Sequence, residues 1–244
     1  IGSIAGKISG IKKIIWNIRG TLKPKMNFKR LIYYKSISIL SYFIPNKIIS
    51  CSLEGIQQHI NFGYRENIFH YIPNGVLLGQ TKNSKKFQKS FINKYNINNK
   101  IVISMIARYH EQKNHNFLLD CFYELEKIFK DEIALLLIGR NIKNEFFKKK
   151  KIKHDFKNII FLDEVENINS FYNVIHLHVL TSSYGEGFPN VILETLANGI
   201  PNISSDIGDA KIIIKNDKLI YKNSNKNDFI KIIKNVLLKI KNRE

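Results

Sequence analysis

The chain has 244 residues, enough for one large core or two modest ones, and its 44% hydrophobic and 11% aromatic content excludes an intrinsically disordered segment. Its formal net charge is +19, and the first acidic residue is Glu54, preceded by Lys7, Lys12, Lys13, Arg19, Lys23, Lys25, Lys29, Arg30, Lys35 and Lys47. Charge this one-sided favours an anionic surface, with a lysine- and asparagine-rich compositional bias as the alternative; no nucleic-acid-binding module accompanies it, so nucleic acid is not expected as a partner.

Residues 3–9 read as the end of a helix and 13–18 (KIIWNI) as a strand running into Arg19-Gly20. A long helix is expected over 27–43, stopped by Pro45, with Leu31, Tyr34, Ile37 and Tyr42 at near-helical spacing. Its cations Lys29, Arg30 and Lys35 make it amphipathic, so a membrane-facing role stands beside the default of packing one face on a core. A strand at 47–50, a helix at 52–61 opened by Ser52, and a strand at 68–72 lead to Pro73-Asn74-Gly75-Val76. Residues 77–99 are polar and serve as a connection carrying a helix at 85–95.

A continuous apolar run at 101–106, of the kind buried on both faces of a parallel sheet, opens the next region. It passes through Arg108 and Lys113 to a helix at 116–129, then a strand at 133–138 ending in Gly139-Arg140. A basic helix at 144–156, which includes the lysine run 148–151, is followed by a strand at 158–162, a short helix at 168–172 and a strand at 174–180. His176 and His178 alternate on that last strand, but no third metal ligand sits nearby in sequence, so packing is the preferred reading. His110 and His115 read as loop or cap residues. Strands are expected again at 200–205 and 218–221, and an amphipathic helix at 227–241 closes the chain. Cys51 and Cys121 have no CxxC or metal-ligand spacing and read as reduced, buried thiols of a cytoplasmic protein. No apolar run approaches the length of a membrane span.

Residues 182–199 read SSYGEGFPNVILETLANG. A strand ends, the chain turns through Gly185 and Gly187, and a helix starts at Pro189, whose fixed φ suits the first helical position. The amides of Asn190 and Val191, at the positive end of the helix dipole, form an anion site. Glu186 in the loop and Glu194 about one turn inside the helix can accept hydrogen bonds from hydroxyls. Amides for a phosphate and carboxylates for hydroxyls suit a nucleotide sugar.

This segment, with Glu186, Gly187, Phe188, Pro189, Asn190 and Glu194, resembles the signature of glycosyltransferase family 4, the retaining GT-B enzymes, of the bacterial cell-surface polysaccharide type. Pro73-Asn74-Gly75-Val76 is similar to the family's turn between its two domains, with Leu77 where an Asp is usual. The resemblance implies an α/β chain of the GT-B fold, with two Rossmann-like parallel-sheet domains. On this reading residues 1–76 are the acceptor-side domain, 77–99 the connection, 100–222 the nucleotide-sugar-binding domain and 223–244 a terminal helix. Because the chain opens with Ile1 and is short for two such domains, the first is expected to be incomplete.

The resemblance also implies roles. Arg108 and Lys113 are similar to the pair that grips the donor diphosphate, a task the chemistry demands because the departing nucleoside diphosphate concentrates negative charge. Glu186 completes the catalytic set; Gly139, Arg140, Val165, Gly187, Phe188, Pro189, Asn190, Val191 and Glu194 bind the donor, with Asp163, Glu164 and Val165 supplying backbone groups to the nucleobase. Arg19 is either a donor or acceptor contact or a surface residue. The expected reaction moves a sugar from a nucleotide sugar to the hydroxyl of a glycan or lipid-linked sugar with retention, without cofactor or obligatory metal, in the cytoplasm or on the inner face of the membrane. A GT-B sugar-nucleotide epimerase and a non-catalytic nucleotide-binding fragment are the alternatives.

Overall fold

The structure is a computed structural model and describes residues 2–77, 85–148 and 157–242. In chain order the elements are α1 (Gly2–Ile8), β1 (Ile15–Ile18), α2 (Phe28–Leu40), β2 (Lys47–Ser50), α3 (Leu53–Phe62), β3 (Phe69–Tyr71) and α4 (Lys85–Lys94). Then follow β4 (Ile101–Ile106), α5 (His115–Phe129), β5 (Ile133–Ile138), α6 (Ile142–Lys148), β6 (Ile159–Leu162), α7 (Asn169–Tyr172), β7 (Leu177–Leu180), α8 (Asn190–Ala197), β8 (Asn202–Ser205), α9 (Ala210–Ile214), β9 (Ile220–Tyr221) and α10 (Lys226–Asn242).

Two compact units result. The first comprises Ile1–Gly75 together with Tyr184–Pro189 and Ile207–Ala210; the second comprises Val76–Ser183, Asn190–Asp206 and Lys211–Glu244. Two short excursions of the later chain are thus grouped with the first unit, which a division into consecutive stretches does not allow. The closing helix likewise belongs to the second unit, since Phe229, Ile233 and Leu237 are buried in its core.

The first unit holds a parallel sheet in the order β1-β2-β3. Its core is small, built on Ile48, Tyr64 and Ile68 with Trp16, Ile18, Ile37, Phe62 and Phe69 packed around them. Helix α2 starts where Asn27 caps the Arg30 amide at 2.9 Å, and α3 where the Ser52 hydroxyl accepts from the Gly55 amide at 2.9 Å. Gly63 ends α3 in the left-handed region at φ 110°.

The second unit holds six parallel strands in the order β6-β5-β4-β7-β8-β9. Its central strands read as unbroken apolar runs because both faces are covered. Along β5, Ile133, Leu135 and Leu137 face the layer of α5 and α10, while Ala134, Leu136 and Ile138 face that of α4 and α7; all six are buried. Fully burying each large aliphatic side chain is worth about 1.5–3 kcal/mol, so these two layers dominate the unit's stability.

Three local expectations need correction. The strand expected at 174–180 starts only at Leu177, because Val174 and Ile175 continue the turn after α7 by donating to Phe171 and Tyr172. The strand expected at 218–221 pairs only over Ile220–Tyr221; the Asn216 side chain accepts from the Lys218 amide at 3.1 Å and holds Asp217–Leu219 as a tight 3-10 turn. The helix expected to start at Pro189 begins at Asn190, which leaves Pro189 at the cap rather than in the first turn. Of the basic helix expected at 144–156, α6 covers part; residues 149–156, and 78–84 of the polar connection, lie outside the described residues.

Two histidines are held neutral inside the second unit. His178 is fully buried, and if its Nε2 accepts from the Ile106 amide at 3.4 Å, its Nδ1 donates to the Asn202 carboxamide oxygen at 2.7 Å. Burial pushes His178 and His115 down to about 4, with the nearby Lys113 ammonium adding to the shift in both. Because the folded values lie below the unfolded value near 6.5, the stabilisation is complete above that pH and is lost as pH falls from about 6.5 towards 4, at about 1.4 kcal/mol per pH unit for each group. Urea unfolding at pH 7.5, 6 and 5 should give a midpoint that declines steadily below 6.5, and a flat profile would contradict the burial of these rings in neutral form.

Candidate active site

In an open parallel sheet, ligands bind beyond the carboxyl ends of the strands where the strand order reverses. Here that point lies between β4 and β7: the chain goes from β4 outward through β5 to β6, and from β7 outward through β8 to β9. The loop leaving β4 carries Arg108 and Lys113, and the loop leaving β7 leads to the Glu186 segment.

The β4 loop is held from three sides. Gly139, after β5, has φ 155°, and a Cβ there would lie 2.1 Å from the Ala107 carbonyl oxygen and 2.8 Å from the Arg108 amide. Only glycine lets the two backbones approach so closely. Buried His115, at the start of α5, stacks on Tyr109 of this loop at 5.4 Å. From β7, the Thr181 hydroxyl donates to the Lys113 carbonyl at 2.9 Å and the Ser183 amide to the Gln112 carbonyl at 2.8 Å. His110 caps the 3-10 turn Glu111–Lys113 by accepting from the Gln112 amide, and Asn114 takes the left-handed conformation before α5. Arg108 is exposed and Lys113 half-buried on this pinned loop.

The start of the β7 loop is equally fixed, since Ser182 and Ser183 offer their carbonyls to the Ser205 hydroxyl at 2.7 Å and the Asn223 side-chain Nδ2 at 2.6 Å. In the first unit, Glu186, Gly187 and Pro189 are buried and Phe188 half-buried. A Cβ at Gly187 would lie 2.7 Å from the Arg19 carbonyl, so this glycine seats the segment against the loop after β1. The Gly187 carbonyl accepts from the Asp209 amide at 2.8 Å. Asp209 is fully buried and its carboxylate accepts from the Leu53 and Glu54 amides and the Ser52 hydroxyl at 2.8–3.0 Å, which occupies the amino end of α3.

In the second unit Asn190 and Val191 open α8, and half-buried Glu194 accepts from the Tyr172 hydroxyl at 3.0 Å. Burial and then the Glu194 charge raise the Tyr172 pKa. Arg140 is exposed and forms a two-point pair with Glu164 at 2.9 and 3.1 Å, so its guanidinium is already engaged. The Asp163 side chain accepts from the Lys143 amide at the start of α6, and Val165 is half-buried against the core behind it. The second unit therefore holds Arg108, Lys113, Gly139, Arg140, Val165, Asn190, Val191 and Glu194; the first holds Glu186, Gly187, Phe188 and Pro189.

Sequence reasoning did not single out His115, Thr181, Tyr172 or Asp209 as site residues. Thr181, Tyr172 and Asp209 each act through a partner distant in sequence, which no local pattern records.

The chain spans 66% of the crystal structure of Anabaena Alr3699/HepE in complex with UDP-glucose, which covers 99% of this chain with a TM-score of 0.82 at 17% identity. Likeness of this kind shows the fold, two parallel-sheet α/β units of the GT-B type. The family described as Glycosyl transferases group 1 matches residues 86–244, and the chain belongs to it. EpsF of Bacillus subtilis (strain 168), which carries a glycosyltransferase name, is 30% identical over 149 residues, 58% of this chain and 37% of that protein. The Escherichia coli UDP-Gal:alpha-D-GlcNAc-diphosphoundecaprenol alpha-1,3-galactosyltransferase is 24% identical over 233 residues, 89% of this chain and 57% of that protein. The chain thus spans about half the length of these two relatives.

Two glycines separate steric from conformational cost. Gly139→Ala should destabilise the second unit by about 2 kcal/mol or more, because the added methyl collides with backbone. Gly199→Ala, at φ 74° with nothing within 4 Å, should cost only about 1 kcal/mol. Urea unfolding of both variants measures the difference, and equal losses would count against the close approach at Ala107.

Proposed function

We propose that the protein is a retaining glycosyltransferase that moves a sugar from a nucleotide-sugar donor to the hydroxyl of a glycan or lipid-linked acceptor. The observation that carries the reading is the Arg108–Lys113 loop, fixed at the point where the strand order reverses by Gly139, His115 and Thr181. Two cations carried on a backbone pinned in this way suit the charge that develops as a nucleoside diphosphate leaves, and a preorganised donor is worth about 3 kcal/mol. The family match supports sugar transfer, the UDP-glucose complex of the Anabaena neighbour supports a nucleotide-sugar donor, and the name of the Escherichia coli relative supports a diphosphate-lipid-linked acceptor.

In this reading Arg108 and Lys113 neutralise the leaving diphosphate. The amino end of α8 receives phosphate through Asn190 and Val191, Glu186 orients sugar hydroxyls, and Glu194, with Tyr172 donating to one oxygen, accepts from the ribose. Gly139, Arg140 and Val165 border the donor, with Arg140 exchanging or sharing its Glu164 partner. The leaving-group oxygen takes the acceptor proton on the same face, so neither a protein base nor a metal is part of the proposal. The acceptor places the work at the cytoplasmic face of a membrane.

Lys113→Ala should lower turnover about tenfold or more while the unfolding midpoint stays within error, measured as sugar transfer from UDP-sugars to a lipid-linked acceptor. Unchanged turnover would remove the assignment, and conversion of the donor in the absence of any acceptor would favour the epimerase instead. Calorimetry with UDP should show weaker binding by Glu194→Gln at an unaltered fold.

A further inference from the structure

We propose that Tyr172 is a positioning residue that makes the donor site select ribonucleotides over deoxyribonucleotides: its hydroxyl holds Glu194 by Oε2 and leaves Oε1 to accept from the ribose. This role rests on the ribose contact proposed for Glu194 above and adds the residue that fixes it.

Both partners belong to the second unit. Tyr172 is the last residue of α7, and its ring is only 4% exposed, in the core layer with Phe171, Val174 and Ile200. The turn that follows is tied down by Gln88, whose side-chain Nε2 donates to the Asn173 carbonyl at 2.8 Å. Helix α8 is anchored by fully buried Ile192 and Thr195, and the Thr195 hydroxyl donates to the Asn202 carboxamide oxygen at 2.9 Å. The Asn198 side chain donates to the Glu194 carbonyl at 2.8 Å. The phenol and the Glu194 backbone are thus both held, and only the Glu194 side chain keeps freedom to turn. The Tyr172 hydroxyl removes that freedom by donating to Oε2 at 3.0 Å, so the rotamer entropy is lost before the nucleotide arrives.

A buried phenol needs a hydrogen-bond partner, but a backbone carbonyl would serve. A half-buried carboxylate carries part of its desolvation cost, and among the described residues neither an ion pair nor a second donor meets the Glu194 side chain. Oε1 therefore has acceptor capacity that the chain itself does not use. Of the groups on a nucleoside diphosphate, the neutral ribose hydroxyls can donate to it, whereas the phosphates would be repelled. Burial and then the Glu194 charge raise the Tyr172 pKa, which keeps the phenol protonated as the donor of this pair.

Titration calorimetry with UDP, and with the UDP analogue that lacks both ribose hydroxyls, tests the proposal. The parent chain should bind UDP about tenfold more tightly than the analogue. Tyr172→Phe should weaken UDP by about fivefold and leave the analogue unaltered. It should add nothing to the loss caused by Glu194→Gln, because the hydroxyl acts only through that carboxylate. In transfer assays Tyr172→Phe should raise KM for the UDP-sugar by about fivefold at nearly constant kcat, since the ribose is remote from the bond that breaks. A Tyr172→Phe chain that prefers UDP as strongly as the parent would overturn the proposal. Equal loss of both nucleotides would overturn it too, by making the phenol a support of the fold alone. A parent chain indifferent to the ribose hydroxyls would overturn it together with the role of Glu194. A chain that selects UDP through Tyr172 yet transfers no sugar would sink the transferase reading and leave the proposal standing, so the two failures are told apart.

Discussion

The contact on which the second unit depends is that of β4 with β7, the two central strands from which the chain departs in opposite directions. All six strands are parallel, so every strand delivers its carboxyl end to the same edge of the sheet. The helices that follow β4 and β7 must diverge, and the loops between them are left side by side with no helix to fill the gap. Hydrogen bonds between those loops, from Thr181 to Lys113 and from Ser183 to Gln112, convert the gap into a fixed cleft edge.

Several of the buried polar groups near that edge are paired. His178, Asn202 and Thr195 share one chain of bonds, with the Asn202 oxygen accepting from both neighbours at 2.7–2.9 Å. Ser205 holds Ser182 and, in the first unit, Asp209 satisfies the first amides of α3. A buried polar group left unmatched costs about 1–3 kcal/mol, whereas a paired one orders its neighbours at little net cost.

The two units divide the work by composition. Residues 1–75 carry eleven basic and two acidic side chains and a small core; the second unit carries the large core and the cations of the strand-order reversal. Most of the buried apolar surface therefore belongs to the second unit, and the excess of positive charge over residues 1–75 is carried by the first.

The α/β alternation, the two-sided burial of β5, the Ser52 cap and the positions of Arg108, Lys113, Glu186 and Glu194 were determined by the sequence alone, because each rests on spacing within a few residues of one strand or helix. Only the tertiary structure decided that Gly139 presses on Ala107, that Arg140 is paired with Glu164, that Tyr172 serves Glu194, and that Asp209 caps a helix more than 150 residues away. Those contacts join groups on different strands, and no local pattern records them: a glycine before a crowding backbone or an acid before a distant helix looks the same in sequence as one facing water.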